Sequence, residues 1–201
     1  RVRVELLDSR LCDLDLKLSP QIRRGLRQLK KELKARGLNF FPKVWISSEW
    51  FSPDGVAGFA VPFYLCRHDL LLLQKKIMGE AEGESFKELM NILRHETGHA
   101  IENAYGLRRL KLRQATFGIS STPYPNRYLP DPNRREFVHN LNGFYAQAHP
   151  DEDFAETFAV WLSGKTRRYA GTPAEEKLKA VESLMEQVKG RKARGSLHAF
   201  E

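Results

Sequence analysis

The chain has 201 residues, of which 41% are hydrophobic and 29% are charged, and this composition is typical of a globular protein. It excludes disordered, collagen and coiled-coil architectures, and no apolar run approaches the ~18 residues of a membrane span. The formal net charge of +8 would favour a polyanionic partner if the basic residues were clustered. Cys12 and Cys66 are too few for a disulfide framework and predict reduced thiols. With neither an export signal nor an anchor visible, we expect a cytoplasmic protein without a membrane segment.

Basic residues occur in three groups along the chain. No aromatic residues are interleaved with them to stack on bases, so we interpret them as solvated helix faces and as a basic tail over 191–201. Weak binding of a polyanion through this basic surface is the alternative. The groups are Arg23, Arg24, Arg27, Lys30, Lys31, Lys34 and Arg36; Arg108, Arg109, Lys111 and Arg113; and Arg191, Lys192 and Arg194.

The first elements in chain order are strands followed by one amphipathic helix. Apolar residues alternate loosely over 1–18, and this spacing predicts one or two strands. Ser19 is a favourable N-cap and Pro20 suits the first helical position, so a helix is expected to begin there. Its apolar stripe ends before Gly37 and consists of Ile22, Leu26, Leu29 and Leu33.

Two short runs then predict a small sheet. Residues 44–47 and 58–66 are rich in β-branched and aromatic side chains, and the turn sequence Ser-Pro-Asp-Gly over 52–55 lies between them. We therefore expect either a hairpin or two strands of one sheet. Pro62, inside the second run, favours an edge strand because proline has no N–H for a neighbouring strand.

The remaining elements are mainly helical. A leucine-rich run over 69–76 predicts one helix, and a longer helix over 85–105 begins with the capping box Ser85-x-x-Glu88. Residues 116–135 contain four prolines and are too rich in turn residues for a regular element, so this loop is functional or disordered. Two further helices are predicted over 151–163 and 172–189. Strands early and helices late indicate an α+β fold with its site where the two parts meet.

The long helix contains the motif His95-Glu96-Thr97-Gly98-His99. Residues four positions apart project from one helix face, so His95 and His99 could bind one Zn²⁺ while Glu96 reaches a water on the metal. The apolar stripe of the same helix, with Leu89 and Leu93, lies on the opposite side. Gly98 costs ~1 kcal/mol relative to Ala within a helix, which indicates that another chain segment approaches it closely.

A catalytic zinc needs a third protein ligand, and the spacing leaves its source open. The extended H-E-x-x-H-x-x-G-x-x-H arrangement is absent, because Glu102 and Tyr105 stand where Gly and His would be. A later predicted helix carries Glu152 and Glu156 on a stripe of small residues that should face the first motif. The rest of that stripe is Ala159 and Ser163, and the opposite face has Phe154, Phe158 and Trp161.

Other polar residues compete for roles at such a site. His139 and His149 are alternative ligands, although packing within loops is the favoured explanation for both. Glu102, one turn beyond His99, either hydrogen-bonds to a ligand or is solvated. Tyr124 and Tyr128 of the proline-rich loop either line a substrate cleft or are buried aromatics.

Two motif blocks together resemble a known family. The pairing of R-H-E-T-G-H-A-I-E-N-A-Y with Y-A-Q-A-H-P-D-E-D-F-A-E-T-F-A-V-W-L resembles the gluzincin metallopeptidases and is similar to the putative zinc-binding metallopeptidase family of bacterial proteins. By this resemblance, Glu152 is the third ligand beside His95 and His99, and Glu156 hydrogen-bonds to a ligating imidazole. The second block also resembles the lethal-factor-like toxin peptidases, in which a tyrosine lies by the metal at the position of Tyr145.

The resemblance implies a zincin-like fold and a zinc metallopeptidase. We expect one catalytic domain over 1–190, with a mixed lobe over 1–84, a mainly helical lobe over 85–190 and the metal site between them. Zinc would activate a water, Glu96 would act as general base and then acid, and Tyr145 would donate to the oxyanion. A peptide or protein substrate, cleaved internally rather than from an end, could pair with the strand around 58–65.

Three other interpretations of the sequence stay open. A SprT-like protease acting on DNA-bound proteins would use the same motif and the positive charge, but such enzymes take a third histidine. A basic nucleic-acid-binding module would make the helix motif incidental. A metal-binding regulator would keep the site without turnover.

Overall fold

The computed structural model describes residues 9–193, and the regular structure of these residues is six α-helices, a two-stranded sheet and short 3₁₀ turns. The helices predicted over 69–76, 85–105, 151–163 and 172–189 are confirmed within one or two residues. In chain order the elements are α1 (Pro20–Ala35), β1 (Lys43–Ser47), β2 (Gly58–Pro62), α2 (His68–Met78), α3 (Phe86–Tyr105), α4 (Lys111–Phe117), α5 (Pro150–Leu162) and α6 (Pro173–Val188).

Local signals explain where the long helices begin. Ser19 caps α1 through a hydrogen bond from the Ile22 N–H, and Ser85 caps α3 through one from the Glu88 N–H. The N-cap of α5 is His149, whose Nδ1 accepts from the Asp151 N–H, with Pro150 at the first helical position. The caps expected from the sequence at Ser19 and Ser85 are therefore confirmed.

The strand prediction for the beginning of the chain is wrong over residues 9–18. The regular element there is a 3₁₀ turn at Leu11–Asp13, while residues 1–8 and the tail from 194 onward lie outside the described part. Leu14, Leu16 and Leu18 each pack against the core although they belong to no strand. The alternation therefore reflects an irregular segment with one side on the core.

The sheet has two parallel strands, so the hairpin is excluded and the alternative of two sheet strands is confirmed. Lys43 pairs with Gly58, and the register continues to Ser47 opposite Pro62. A side chain at position 58 is excluded, because a Cβ there would lie 2.3 Å from the Lys43 carbonyl oxygen. On its other side β2 forms an antiparallel bridge between Ala60 and Phe51, and all its residues are buried. The proposed substrate edge around 58–65 is thus already covered at Ala60.

Helix α3 lies at the centre of the molecule, between α1 on one side and α5 on the other. Leu89 and Leu93 of α3 are fully buried against α1, where Gly25 allows the two helices to approach. The Arg94 guanidinium also binds both carboxylate oxygens of Glu32 in α1, at 2.8 Å each. The aromatic face of α5 continues this core toward α6, as the sequence predicts; it consists of Phe154, Phe158 and Trp161.

A buried ionic network connects α3, α4 and α5. The Arg113 guanidinium has no exposed surface and donates to Glu102 Oε1 at 2.6 Å and to Asp151 Oδ1 at 2.5 Å. Arg108 binds the same two carboxylates and also Asp54. The interpretation of Arg108 and Arg113 as part of a solvated basic face is therefore wrong, since both neutralise buried carboxylates.

Two further sequence expectations concern the middle of the chain. The loop expected over 116–135 begins inside α4, and residues 118–141 contain no helix or strand. Helix α4 itself is absent from the sequence prediction. Within residues 9–193, no helix combines the length and apolar character needed to cross a membrane.

Candidate metal centre

The histidines of α3 and one carboxylate of α5 converge on a single point. His95 Nε2 lies 3.1 Å from His99 Nε2 and 3.1 Å from Glu152 Oε2, and His99 Nε2 lies 3.3 Å from the same oxygen. His95 and Glu152 are buried, and the His99 side chain is 12% exposed. The structure therefore brings together, from two helices, three donor atoms that could hold a metal ion.

These donor atoms fit zinc by type and by spacing. Imidazole nitrogen and carboxylate oxygen are common zinc ligands with bonds of about 2.0–2.1 Å, which places tetrahedral ligand atoms roughly 3.3 Å apart. The observed triangle, with sides of 3.1, 3.1 and 3.3 Å, is close to this spacing. Three protein ligands leave the fourth position for a water or a substrate.

Close packing of the two helices makes this convergence possible. A Cβ built on Gly98 in α3 would lie 2.8 Å from the Ala155 Cα in α5, so only glycine permits the observed approach. The expectation that another segment lies against Gly98 is confirmed. His99 directly follows Gly98, and Glu156 directly follows Ala155. The contact between the two helices therefore fixes the distance between the two motifs.

Glu156 supports His95 from the side away from the triangle. Its Oε1 lies 2.8 Å from His95 Nδ1, so this nitrogen donates a hydrogen to the carboxylate and Nε2 is the ring atom left to bind a metal ion. The Asn140 side-chain amide and the N–H groups of Asn140 and Leu141 donate to the same carboxylate at 2.8–3.2 Å. Both oxygens of Glu156 are thus occupied, whereas Oε2 of Glu152 faces the imidazoles.

The electrostatics of the site favour a cation. Burial lowers the pKa of His95, but hydrogen bonds with Glu152 and Glu156 outweigh it and raise the pKa to about 10. Burial alone would raise the pKa of Glu152, yet the hydrogen bonds with His95 and His99 hold it well below its usual range. Negative charge on the buried carboxylates therefore stabilises positive charge at the centre of the triangle.

Glu96 lies next to His95 on α3 and lines the same cleft. Burial raises the pKa of its carboxyl, against the lowering effect of the two histidines. Its Oε2 is buried and has no hydrogen-bond partner among the described residues. A buried carboxylate oxygen without a partner is costly to keep, and this is typical of atoms that act on a bound molecule.

Tyr145 lies at the rim of the site, with its ring centroid 5.8 Å from that of His95 and 37% of the residue exposed. It follows Gly143 and Phe144, and both residues adopt left-handed backbone conformations, with φ of 74° and 57°. A left-handed phenylalanine is strained. The Tyr128 hydroxyl contacts the carbonyl oxygens of both residues, at 2.8 Å and 2.6 Å, and holds the turn in place.

Three candidate residues from the sequence analysis are not part of the triangle. Glu102 is neither solvated nor next to a histidine of the triangle, because Arg108 and Arg113 bind its fully buried carboxylate. His149 uses one ring nitrogen to cap α5 and donates from the other to the Thr122 carbonyl oxygen at 2.7 Å. His139 lines the cleft and packs its ring edge-on against Phe144 at 4.4 Å.

The triangle and Glu96 lie in a cleft of about 1350 Å³. Its walls come from α3, from the connection between the two strands and from the irregular segments on either side of α5. Pockets for small ligands are usually ~300–1,000 Å³, so this cleft has room for a larger molecule. Residues at its walls include Trp50, Phe51, Glu82, Glu88, Tyr124, Lys165 and Arg168.

Sequence reasoning missed two contributors to the site. Asn140 binds Glu156, and Asn140 and Asn91 of α3 each donate from the side-chain amide to the backbone carbonyl oxygen of the other. Tyr124, expected only as a cleft or core aromatic, donates its hydroxyl to Glu152 Oε1 at 2.7 Å. Both residues belong to irregular segments, where no periodic pattern indicates which way a side chain points.

The fold and the site together define a metal-binding centre formed by two packed helices, with an unpartnered carboxylate beside it. A comparison with protein families agrees with this result. The chain belongs to the putative zinc-binding metallo-peptidase family, whose model matches residues 73–187 and so includes both motif helices. No curated protein and no solved structure matches the chain. The resemblance to the zinc-binding metallopeptidase family is confirmed, and zinc is the cofactor that the family and the His-His-Glu group share.

Proposed function

We propose that the protein is a zinc endopeptidase with a zincin-like catalytic domain over residues 1–190. The observation that carries this proposal is the triangle of His95, His99 and Glu152 donor atoms beside the partnerless Glu96 Oε2. Two nitrogen donors and one oxygen donor with an adjacent buried carboxylate are the minimal parts of metal-assisted hydrolysis. Membership of a zinc-binding metallo-peptidase family supports the same reaction.

In this proposal His95, His99 and Glu152 hold the zinc ion. When bound, zinc would polarise the scissile carbonyl group and lower the pKa of a water, so that the water becomes a nucleophile at neutral pH. Glu156 keeps His95 in the tautomer with hydrogen on Nδ1, which leaves Nε2 as the ligand atom. Asn140 and Leu141 in turn keep the Glu156 carboxylate in place.

Glu96 is the proposed general base. Glu96 lines the cleft and its buried Oε2 has no hydrogen-bond partner within residues 9–193, so in this proposal the carboxylate accepts the proton of the attacking water and returns it to the leaving amine. Burial raises its pKa, which brings the carboxylate closer to the pH at which such a proton transfer is efficient. Tyr145, with its ring beside His95, is the proposed hydrogen-bond donor to the developing oxyanion.

The dimensions of the cleft favour internal cleavage of a peptide chain. A cleft of about 1350 Å³, with residues between Trp50 and Arg168 along its walls, has room for an extended segment on both sides of the scissile bond. This room on both sides of the bond is the reason that we propose an endopeptidase.

The test combines metal analysis with a single substitution. Wild-type protein purified without chelator is expected to contain near-stoichiometric zinc and to cut an unfolded protein such as casein at internal bonds, seen by mass spectrometry of the fragments. Glu96→Gln preserves the shape of the side chain but removes the base, so it should retain zinc and lose at least ~100-fold in rate. Glu84→Gln, at an exposed position outside α3, is the control and should cleave normally.

Each contrary result has a defined meaning. A Glu96→Gln protein that cleaves at the wild-type rate contradicts the assignment of the base. Zinc-loaded wild type without turnover on any unfolded protein or peptide library would favour a metal-binding regulator. Protein that cannot take up zinc on titration would exclude a zinc enzyme.

A further inference from the structure

The two oxygens of the Glu152 carboxylate have different partners. Oε2 faces His95 Nε2 and His99 Nε2 at 3.1 Å and 3.3 Å, whereas Oε1 accepts a hydrogen bond from the Tyr124 hydroxyl at 2.7 Å. Tyr124 belongs to the proline-rich loop, 28 residues before Glu152 in the sequence. The carboxylate is therefore held from outside α5 as well as presented by it.

The position of the Tyr124 hydroxyl is fixed although 55% of the residue is exposed. Its ring stacks on the His149 ring at a centroid distance of 4.0 Å and an interplanar angle of 8°. His149 is itself held at both ring nitrogens, by the Asp151 N–H and by the Thr122 carbonyl oxygen. The imidazole of His149 therefore both caps α5 and stacks against the Tyr124 ring.

The same loop is attached to α5 at a second point. The Ser120 hydroxyl donates to Asp151 Oδ1 at 2.6 Å, one residue before Glu152. Ser120 and Tyr124 therefore bind neighbouring carboxylates, but only Tyr124 binds the one that belongs to the triangle. A comparison of variants at these two positions therefore distinguishes loss of the loop's attachment to α5 from loss of its contact with Glu152.

A carboxylate in a metal site is more effective when its side chain is held before the metal arrives. His95 has such a support in Glu156, which contacts Nδ1, the ring nitrogen that is not in the triangle. Tyr124 occupies the equivalent place for Glu152, because it contacts the oxygen that is not in the triangle. Without the hydroxyl, the carboxylate would be free to rotate about its last torsion and to present either oxygen or both.

We propose that Tyr124 is a positioning residue for zinc, which holds Glu152 so that Oε2 alone is offered to the metal. This inference rests on the zinc site of the proposed function and extends it to the proline-rich loop. That loop then completes the ligand set in addition to forming part of the cleft wall.

The test compares Tyr124→Phe with Ser120→Ala in the full chain. Tyr124→Phe retains the ring on His149 and removes only the hydroxyl, so the metal-free protein should melt at the wild-type temperature. Zinc affinity, measured by competition with a chromophoric chelator well below the melting temperature, should fall roughly 10–100-fold. Ser120→Ala should bind zinc as tightly as wild type, because it does not touch Glu152.

A second readout addresses the geometry of the site. The visible absorption of the cobalt-loaded protein is expected to change in Tyr124→Phe and to stay the same in Ser120→Ala. Wild-type zinc affinity and an unchanged cobalt spectrum in Tyr124→Phe would overturn the inference while leaving the zinc site intact. Equal loss of affinity in both variants would assign the effect to loop attachment and overturn it too. Wild-type protein that binds no zinc would overturn the proposed function together with this inference.

Discussion

Gly98 of α3 packs so tightly against the backbone of Ala155 in α5 that no side chain fits between the two motif helices at this point. A Cβ at position 98 would lie 2.8 Å from the Ala155 Cα and 3.2 Å from its carbonyl oxygen. Both of these atoms are backbone, so they cannot move aside by a rotamer change. The adjacent residues include His99 on one helix and Glu156 on the other, which makes this contact part of the geometry of the site.

We therefore expect Gly98→Ala to destabilise the protein and to weaken zinc binding. Helix propensity alone predicts a gain of ~1 kcal/mol, whereas overpacking against backbone costs about 1–3 kcal/mol and separates the helices. Gly25→Ala is the matched control, because its Cβ would meet side-chain atoms instead of backbone, the nearest being Leu93 Cδ1 at 2.7 Å. Thermal melting and zinc titration measure both effects. A Gly98→Ala protein that melts higher than wild type would contradict this account.

The sequence predicts the elements whose signals are local. Helix α3 is recognisable because its cap, its apolar stripe and its zinc-type spacing all lie within a window of about twenty residues, and α5 because its carboxylate and aromatic faces do. The sequence does not predict the relative direction of β1 and β2, because a turn sequence between two strands does not distinguish a hairpin from a parallel crossover. That choice depends on packing, in which Asn103 of α3 binds the carbonyl oxygens of Pro53 and Val56 in the connection.

The residues of the metal site also divide into those that local sequence signals predict and those that they do not. His95, His99 and Glu152 could be selected from spacing and resemblance, because each lies on a regular helix. Tyr124 and Asn140 could not, since they reach the site from segments without a period. Arg113 illustrates a third limit: a basic residue on a short helix is indistinguishable from a solvated one until its distant carboxylates are known.

Removal of the two α5 carboxylates should have different effects on zinc. Glu152→Ala deletes a donor atom of the triangle and is expected to abolish stoichiometric zinc binding. Glu156→Ala leaves the triangle complete but frees His95 Nδ1, so affinity should fall roughly 10–100-fold without being lost. Elemental analysis of both purified variants, followed by chelator competition, makes the comparison. The reverse order would identify Glu156 as the third ligand.

Arg113 should be among the most sensitive positions for stability. Its fully buried guanidinium neutralises Glu102 and Asp151, and Arg113→Ala would leave Arg108 as the one arginine that binds those carboxylates within residues 9–193. Breaking a buried ion pair of this kind costs about 3–5 kcal/mol, which chemical denaturation of the variant would reveal. Arg109→Ala, at the exposed neighbouring position, is the control and should change stability by less than ~0.5 kcal/mol. Equal stability of the two variants would refute a structural role for the network.

Tyr128 provides a way to alter the rim of the site without touching a donor atom. Its hydroxyl holds the Gly143 and Phe144 carbonyl oxygens, and Phe144 is kept at a φ of 57° immediately before Tyr145. Tyr128→Phe should let this strained turn relax and displace Tyr145, because left-handed backbone costs a non-glycine residue about 1–3 kcal/mol. Because Tyr145 is the proposed donor to the oxyanion, we expect its displacement to lower kcat/KM roughly 10–100-fold with unchanged zinc affinity. Tyr105→Phe, which loses only a hydroxyl contact with the Arg191 carbonyl oxygen, should keep full activity. Loss of zinc in Tyr128→Phe, or full activity, would show that the turn does not position Tyr145.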